Sequence, residues 1–181
     1  MNGNTNPHDT ALLVIDVQQE LFKKSTPIFK AEELLRKIQA MVEKAHRAGA
    51  PVVYVQHSAA KQLVKGSPGW QLHPDLRPLN KDTIVHKEHG NAFEATPLHE
   101  ILKAQGVKDV VICGLVTHGC VRATCLGGLE LGYRVILAKD AHSSYSKDAA
   151  CLIEEWNEKL SALMVELKLA SEIEFGKAQT V

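Results

Sequence analysis

The chain has 181 residues, 45% of them hydrophobic, enough for one sizeable core that folds without disulfides or bound metal. Its 21 Lys and Arg offset 21 Asp and Glu with no basic block, which argues against a nucleic-acid partner. No apolar run approaches the ~18 residues that would mark a membrane span.

In chain order, Ala11-Leu12-Leu13-Val14-Ile15 is continuously apolar, as in a strand buried on both faces of a parallel sheet, and it ends in Asp16. A loop with Phe22, Pro27 and Phe29 follows. Ala31 to Ala48 predicts an amphipathic helix, with Leu34, Leu35, Ile38, Met41, Val42 and Ala45 at helical spacing and Gly49 as its stop. Pro51 to Val55 is a second strand. Ser58 to Asp82 holds Gly, Pro and Trp70 with little periodicity, the composition of a long connection that walls a pocket. Thr83 to His86 is a third strand, ending in Lys87. Thr96 is a credible cap and Pro97 suits the first turn of a helix that stops at Gly106. Val110 to Cys113 is a fourth, β-branched strand. Gly114 ends it, a second turn glycine follows at Gly119, and Cys120 opens a helix that runs to Gly132. Tyr133 to Ala138 is the fifth strand, followed by Lys139-Asp140. Lys147 to Leu169 reads as one long helix, and Glu172 to Phe175 as a short last strand. Strict alternation of this kind predicts a single α/β domain over residues 1–181, with a parallel sheet and helices on both faces.

The four cysteines, at 113, 120, 125 and 151, lack CxxC or CxxxC spacing and read as reduced thiols. The nine histidines form no HxxxH pair and no Cys/His cluster, so neither metal nor cofactor is expected. The polar opening, Met1 to Asp9, lacks the apolar segment of a secretion signal. These features together predict a cytoplasmic protein.

Three strand ends carry chemistry. A cysteine in the first turn of a helix feels the helix dipole and free N–H groups, and both favour thiolate. Cys120 is therefore a candidate nucleophile, with a buried structural cysteine as the alternative. Asp16 and Lys87 each sit just past a strand, at the edge where open α/β sheets bind ligands. Singly, they read as a turn-capping carboxylate and a surface lysine. Together with a thiol at a third strand end they suggest convergence. Asp16-Val17-Gln18-Gln19-Glu20 lacks the second acid of a phosphoacceptor site. No GxGxxG, and no GxxxxGK followed by Ser or Thr, follows a strand, so a nucleotide cradle is missing. Phe22 and Trp70, in loops near the crevice edge, are candidates to face substrate or to pack in the core. Thr117 and His118, in the turn before Cys120, are candidate pocket residues. Cys113 reads as core, and Cys125 as facing the sheet.

These residues carry a resemblance. Ala11 to Gln18, Lys87 followed by Asn91-Ala92-Phe93 and Thr96-Pro97-Leu98, and Gly114-Leu115-Val116-Thr117 followed by Cys120-Val121 and Thr124 resemble the isochorismatase-like cysteine hydrolases. Gly132-Tyr133-Arg134-Val135 and Asp140-Ala141 match that family's next strand. The resemblance spans nearly the whole chain. It implies a three-layer α-β-α, Rossmann-like fold with six parallel strands. It implies a catalytic triad of Asp16, Lys87 and Cys120, in which the Asp is general base, the Lys stabilises charge and the Cys attacks a carbonyl to give a thioester. It also implies a cis peptide at Leu115–Val116, with the Val116 and Cys120 N–H groups as oxyanion donors. A homo-oligomer, dimer or tetramer, is implied as well, with a small molecule as substrate and neither nucleic acid nor membrane as partner.

Departures from the family pattern bear on substrate. Nicotinamide-hydrolysing relatives carry a metal site, Asp-x-His plus a later His, after the second strand. Here that region reads Gln56-His57-Ser58-Ala59-Ala60 without an Asp, which argues against a catalytic metal and leaves His57 as a candidate substrate contact. Asn91 stands where a serine is common. Retention of Cys120 favours cleavage of an amide, lactam or ureide C–N bond. Vinyl-ether hydrolysis of an isochorismate-like acid is the alternative enzyme reading, and a non-catalytic binding protein the third.

Overall fold

The computed structural model describes residues 9–176, so the polar opening Met1 to Asp9 lies outside the described residues except for Asp9. Six strands form one all-parallel sheet: β1 (Thr10–Ile15), β2 (Val52–His57), β3 (Thr83–Lys87), β4 (Asp109–Leu115), β5 (Arg134–Ser143) and β6 (Glu166–Lys168). Four α-helices connect them: α1 (Ala31–Ala48), α2 (Leu98–Ala104), α3 (Arg122–Glu130) and α4 (Ala149–Ala162). The strand order is β3-β2-β1-β4-β5-β6. The chain winds outward from β1 in one direction, then crosses to β4 and winds the other way. The C-terminal ends of β1 and β4 therefore flank the switch point where such sheets open a crevice.

The apolar run of β1 serves both faces. Leu12 and Val14 pack with Leu34, Leu35, Ile38, Met41 and Val42 of α1. Ala11, Leu13 and Ile15 pack with Leu98 and Leu102 of α2, Cys125 of α3 and Leu160 of α4. Each large aliphatic side chain buried this way stabilises the fold by ~1.5–3 kcal/mol. Among the described residues no helix is long and apolar enough to cross a membrane.

Element boundaries differ from the sequence reading: β4 runs through Gly114 to Leu115, β2 reaches His57, α3 begins at Arg122, and the C-terminal third departs further. β5 runs on through Lys139 and Asp140 to Ser143. The final helix stops at Ala162, because Met164 takes a left-handed φ of 75° and turns the chain back into the sheet as β6. The helical period in the sequence runs across this turn through Leu163 and Leu167, so it hides the break. Finally, the expected last strand Glu172 to Phe175 does not form, and Ile173 and Phe175 are buried beneath α1. Lys44 of α1 holds that segment by donating to the carbonyls of Ser171 (2.8 Å) and Ile173 (3.1 Å).

Candidate active site

Backbone geometry brings the three strand ends together. Asp16 leaves β1 in the left-handed region, φ 50°, a conformation Asp tolerates better than most residues. Its N–H still donates to the Val55 carbonyl at 2.9 Å, so the turn stays tied to the sheet edge. Beside it, Gly114 has φ 116°, and a Cβ there would lie 2.2 Å from the Ile15 carbonyl oxygen. Only glycine lets β4 pass so close to the residue before Asp16. Lys87 closes β3 opposite His57 of β2. The segment after Lys87 is fastened to α3, where the Ala92 N–H donates to Thr124 Oγ1 at 3.1 Å. Cys120 sits in a wide turn, Thr117–Val121, that precedes α3. The peptide Leu115–Val116 is cis.

The Lys87 ammonium lies at the centre. Its Nζ is 2.8 Å from Asp16 Oδ2, 3.1 Å from Cys120 Sγ, 3.1 Å from His57 Nδ1 and 3.1 Å from the His89 carbonyl oxygen. An ammonium only donates, so His57 Nδ1 accepts and the ring proton sits on Nε2. The side chains of Lys87 and Asp16 are 0% and 3% exposed, which makes this a buried ion pair. The second carboxylate oxygen, Asp16 Oδ1, is buried without a hydrogen-bond partner. Burial raises the Asp16 carboxyl above its ordinary range, against the opposing pull of Lys87 and the nearby thiol. Burial also lowers His57, and Lys87 adds to that effect.

Burial works against the expected bias of Cys120 toward thiolate. The residue precedes the regular turns of α3, and burial, reinforced by the Asp16 carboxylate, pushes its thiol up to about 12. A thiol in this state needs a base at the moment it reacts. The unpartnered oxygen of a carboxylate with raised proton affinity is suited to that task.

Among the described residues, Asp16, His57 and Cys120 are the one group of three whose donor atoms converge as a metal site would, all within 4.8 Å. Lys87 Nζ lies within hydrogen-bond distance of all three, so the trio surrounds an ammonium. Gln56, the residue before His57, donates its amide to the Trp70 carbonyl at 3.0 Å.

The other candidate residues are placed variously. His57 touches Lys87. Trp70 is buried, with its indole N–H donating to Ser58 Oγ at 3.0 Å and its ring edge against His86. Phe22 is half-buried, its ring 4.6 Å from that of His73. Thr117 is fully buried and its hydroxyl meets the His142 ring, while His118 is exposed. Val116 and Cys120 are both partly exposed at the turn. Ser58 and Lys65 of the long connection line a small pocket beside Lys87 with His86 and His89.

Two residues escaped the sequence reading. Gln18 is buried two positions after Asp16. Its amide donates to the carbonyls of His57 (3.0 Å) and Trp70 (2.7 Å), and its oxygen accepts from the His57 N–H at 2.9 Å. A buried amide so close to Asp16 was the available signal. His142 gave no local signal.

Comparison with known proteins matches residues 10–152 to the isochorismatase domain model. Streptothricin hydrolase of Streptomyces noursei is 37% identical over 142 residues, 77% of this chain and 51% of that protein. A second streptothricin hydrolase matches over 56% of its length, so the chain spans about half of these curated relatives. Ureidoacrylate amidohydrolase of Acinetobacter baylyi is 27% identical, over 75% of this chain and 71% of its own. Among solved structures, N-carbamoylsarcosine amidase of Thermoplasma acidophilum superposes with a TM-score of 0.83 at 28% identity, covering 92% of this chain and 99% of that one.

Proposed function

The chain belongs to the isochorismatase family of hydrolases, and from that premise we propose that it is a cysteine amidohydrolase cleaving a C–N bond of a small molecule. One observation carries the reading: a buried lysine ammonium joins a carboxylate and a thiol, while the other carboxylate oxygen is unpartnered. The relatives named for streptothricin, ureidoacrylate and N-carbamoylsarcosine support an amide, lactam or ureide as substrate class.

The steps follow from the chemistry of the groups. Asp16 takes the thiol proton as Cys120 Sγ attacks the substrate carbonyl carbon. The carbonyl oxygen becomes an oxyanion, which the N–H groups of Val116 and Cys120 receive. Lys87 keeps Asp16 ionised in the resting state and offsets the charge that develops on sulfur. Collapse of the intermediate breaks the C–N bond. The nitrogen leaves with the proton held by Asp16, and a thioester to Cys120 remains. Water then attacks the thioester carbonyl, giving its proton to Asp16. Expulsion of the sulfur releases the carboxylic acid, and the thiol recovers its proton.

A panel of amides, lactams and ureides tests the reading. Release of ammonia or amine by the wild-type chain, abolished in Cys120→Ala, is the expected result. A panel member hydrolysed equally well by Cys120→Ala would refute it.

A further inference from the structure

We propose that His142 is a positioning residue that holds the nucleophile turn through the Thr117 hydroxyl; the proposal rests on the cysteine-hydrolase reading above. The observation behind it is a bulge in β5. Along β4 and β5 the pairing passes from Ile112 opposite Leu137 to Gly114 opposite His142, so β5 bows outward between them. The bulge is pinned on both sides. Asn157 of α4 donates to the Lys139 carbonyl at 3.1 Å, and Asp140 accepts from the Ala170 N–H at 2.7 Å and pairs with Lys37 of α1 at 3.0 Å. This displacement sets His142 beside Gly114, one strand away from the turn that carries Cys120.

The ring spans Thr117 and α4. Its Nδ1 is 2.9 Å from Thr117 Oγ1 and its Nε2 is 2.9 Å from Asn157 Oδ1. The donors can be assigned. Asn157 spends its NH₂ on the Lys139 carbonyl, so its oxygen faces His142 and Nε2 carries the proton. Nδ1 is then bare, and the Thr117 hydroxyl must donate to it. Thr117, His142 and Asn157 are 0%, 3% and 5% exposed, so water does not compete for these bonds. Burial holds the ring neutral, its pKa down at about 4.

Thr117 begins the turn that presents Cys120. With its hydroxyl fixed to β5 and α4, the turn has one position relative to the sheet, and Sγ stays 3.1 Å from Lys87 Nζ. Loosening the turn separates thiol from ammonium. Misplacement of a reacting atom by ~1 Å costs about 10²-fold in rate.

The test uses the full chain carrying Cys151→Ser, which removes an exposed competing thiol. His142→Ala, His142→Asn, Thr117→Val and the His142→Ala/Thr117→Val double variant are compared. Two readouts are taken: the iodoacetamide rate at Cys120, resolved by peptide mass, and kcat and KM on a substrate from the amide panel. Expected are losses of about 10–100-fold in kcat for His142→Ala and Thr117→Val, with KM within about twofold. Alkylation of Cys120 slows about tenfold in the same two variants. The double variant is no worse than the poorer single one, and His142→Asn, which still offers Thr117 an acceptor, recovers most of the loss. Multiplying losses, a raised KM at unchanged kcat, or an Asn variant as impaired as Ala would overturn the assignment. If His142→Ala does not fold, Thr117→Val decides, since it keeps the shape and removes only the hydroxyl; wild-type rates there overturn the proposal. Alkylation needs no substrate. A full alkylation pattern without hydrolysis of any amide refutes the amidase reading and leaves His142 in place.

Discussion

Replacing Lys87 with Met separates charge from packing at the centre of the site. Met has similar length and no charge, so it fills the space among Asp16, His57 and Cys120 while removing every bond the ammonium makes. The Asp16 carboxylate, 3% exposed, is then buried with no counter-ion. Breaking a buried pair from one side costs about 3–5 kcal/mol. For a chain of this size each kcal/mol moves the melting temperature by ~2–4 °C, so Lys87→Met should melt ~6–20 °C below wild type at neutral pH. The loss should shrink toward acidic pH, where Asp16 takes up a proton and ceases to be an unpaired charge. Asp16→Asn/Lys87→Met removes both charges and should regain at least half of the lost stability, because neutral pairs of similar volume often replace buried ion pairs at little cost. Neither variant should hydrolyse substrate. Melting followed by circular dichroism at two pH values decides the matter. A single variant as stable as wild type, or a double variant less stable than the single, would show that the charge pair is not what the fold shelters here.

Asp16→Asn alone should lower kcat by ~10²–10⁴ while the protein stays folded, and a loss below tenfold on an established substrate would remove Asp16 as base. The pH profile of kcat/KM should show an acid limb above the ordinary carboxylate range, because burial raises the Asp16 carboxyl and the ionised form is the base. A limb at or below the ordinary Asp value would contradict this. The same shift sets a sign for stability. The native carboxyl holds its proton more tightly than the unfolded one, so this group's contribution to the fold is complete below ~pH 3.9 and is lost as pH rises through the native value. Prolonged chelation should leave activity unchanged, since Asp16, His57 and Cys120 are engaged by Lys87. Stoichiometric zinc or iron that is lost together with activity would refute that expectation.

The sheet was legible because its strands are continuous apolar runs ending in conspicuous residues. Asp16, Lys87 and Cys120 could be singled out together because a parallel sheet sends all its strand ends to one edge. Burial at that edge could not be read. A lysine after a short strand looks like a surface lysine, and only the structure closes β2, the segment after Lys87 and α3 around it. The same closure works against the expected thiolate at Cys120, since desolvation and the Asp16 carboxylate outweigh the pull of the Lys87 ammonium. Thr117 illustrates a different limit. Its place in the turn suggested a role toward substrate, but a bulge in β5 between Leu137 and His142 supplies a buried histidine for its hydroxyl. Register shifts of this kind depend on pairing between strands, which no local pattern encodes. The break after Ala162 was hidden for the opposite reason, because the local pattern there continues without interruption.

The covalent intermediate is the central claim, and acid-quenched mass spectrometry during turnover tests it most directly. The proposed mechanism predicts a peptide containing Cys120 that is heavier by the acyl part of the substrate, absent in Cys120→Ala and accumulating when the thioester is hydrolysed more slowly than it forms. Steady turnover with no adduct on Cys120, by a chain whose Cys120→Ala variant keeps near-normal kcat, would contradict it.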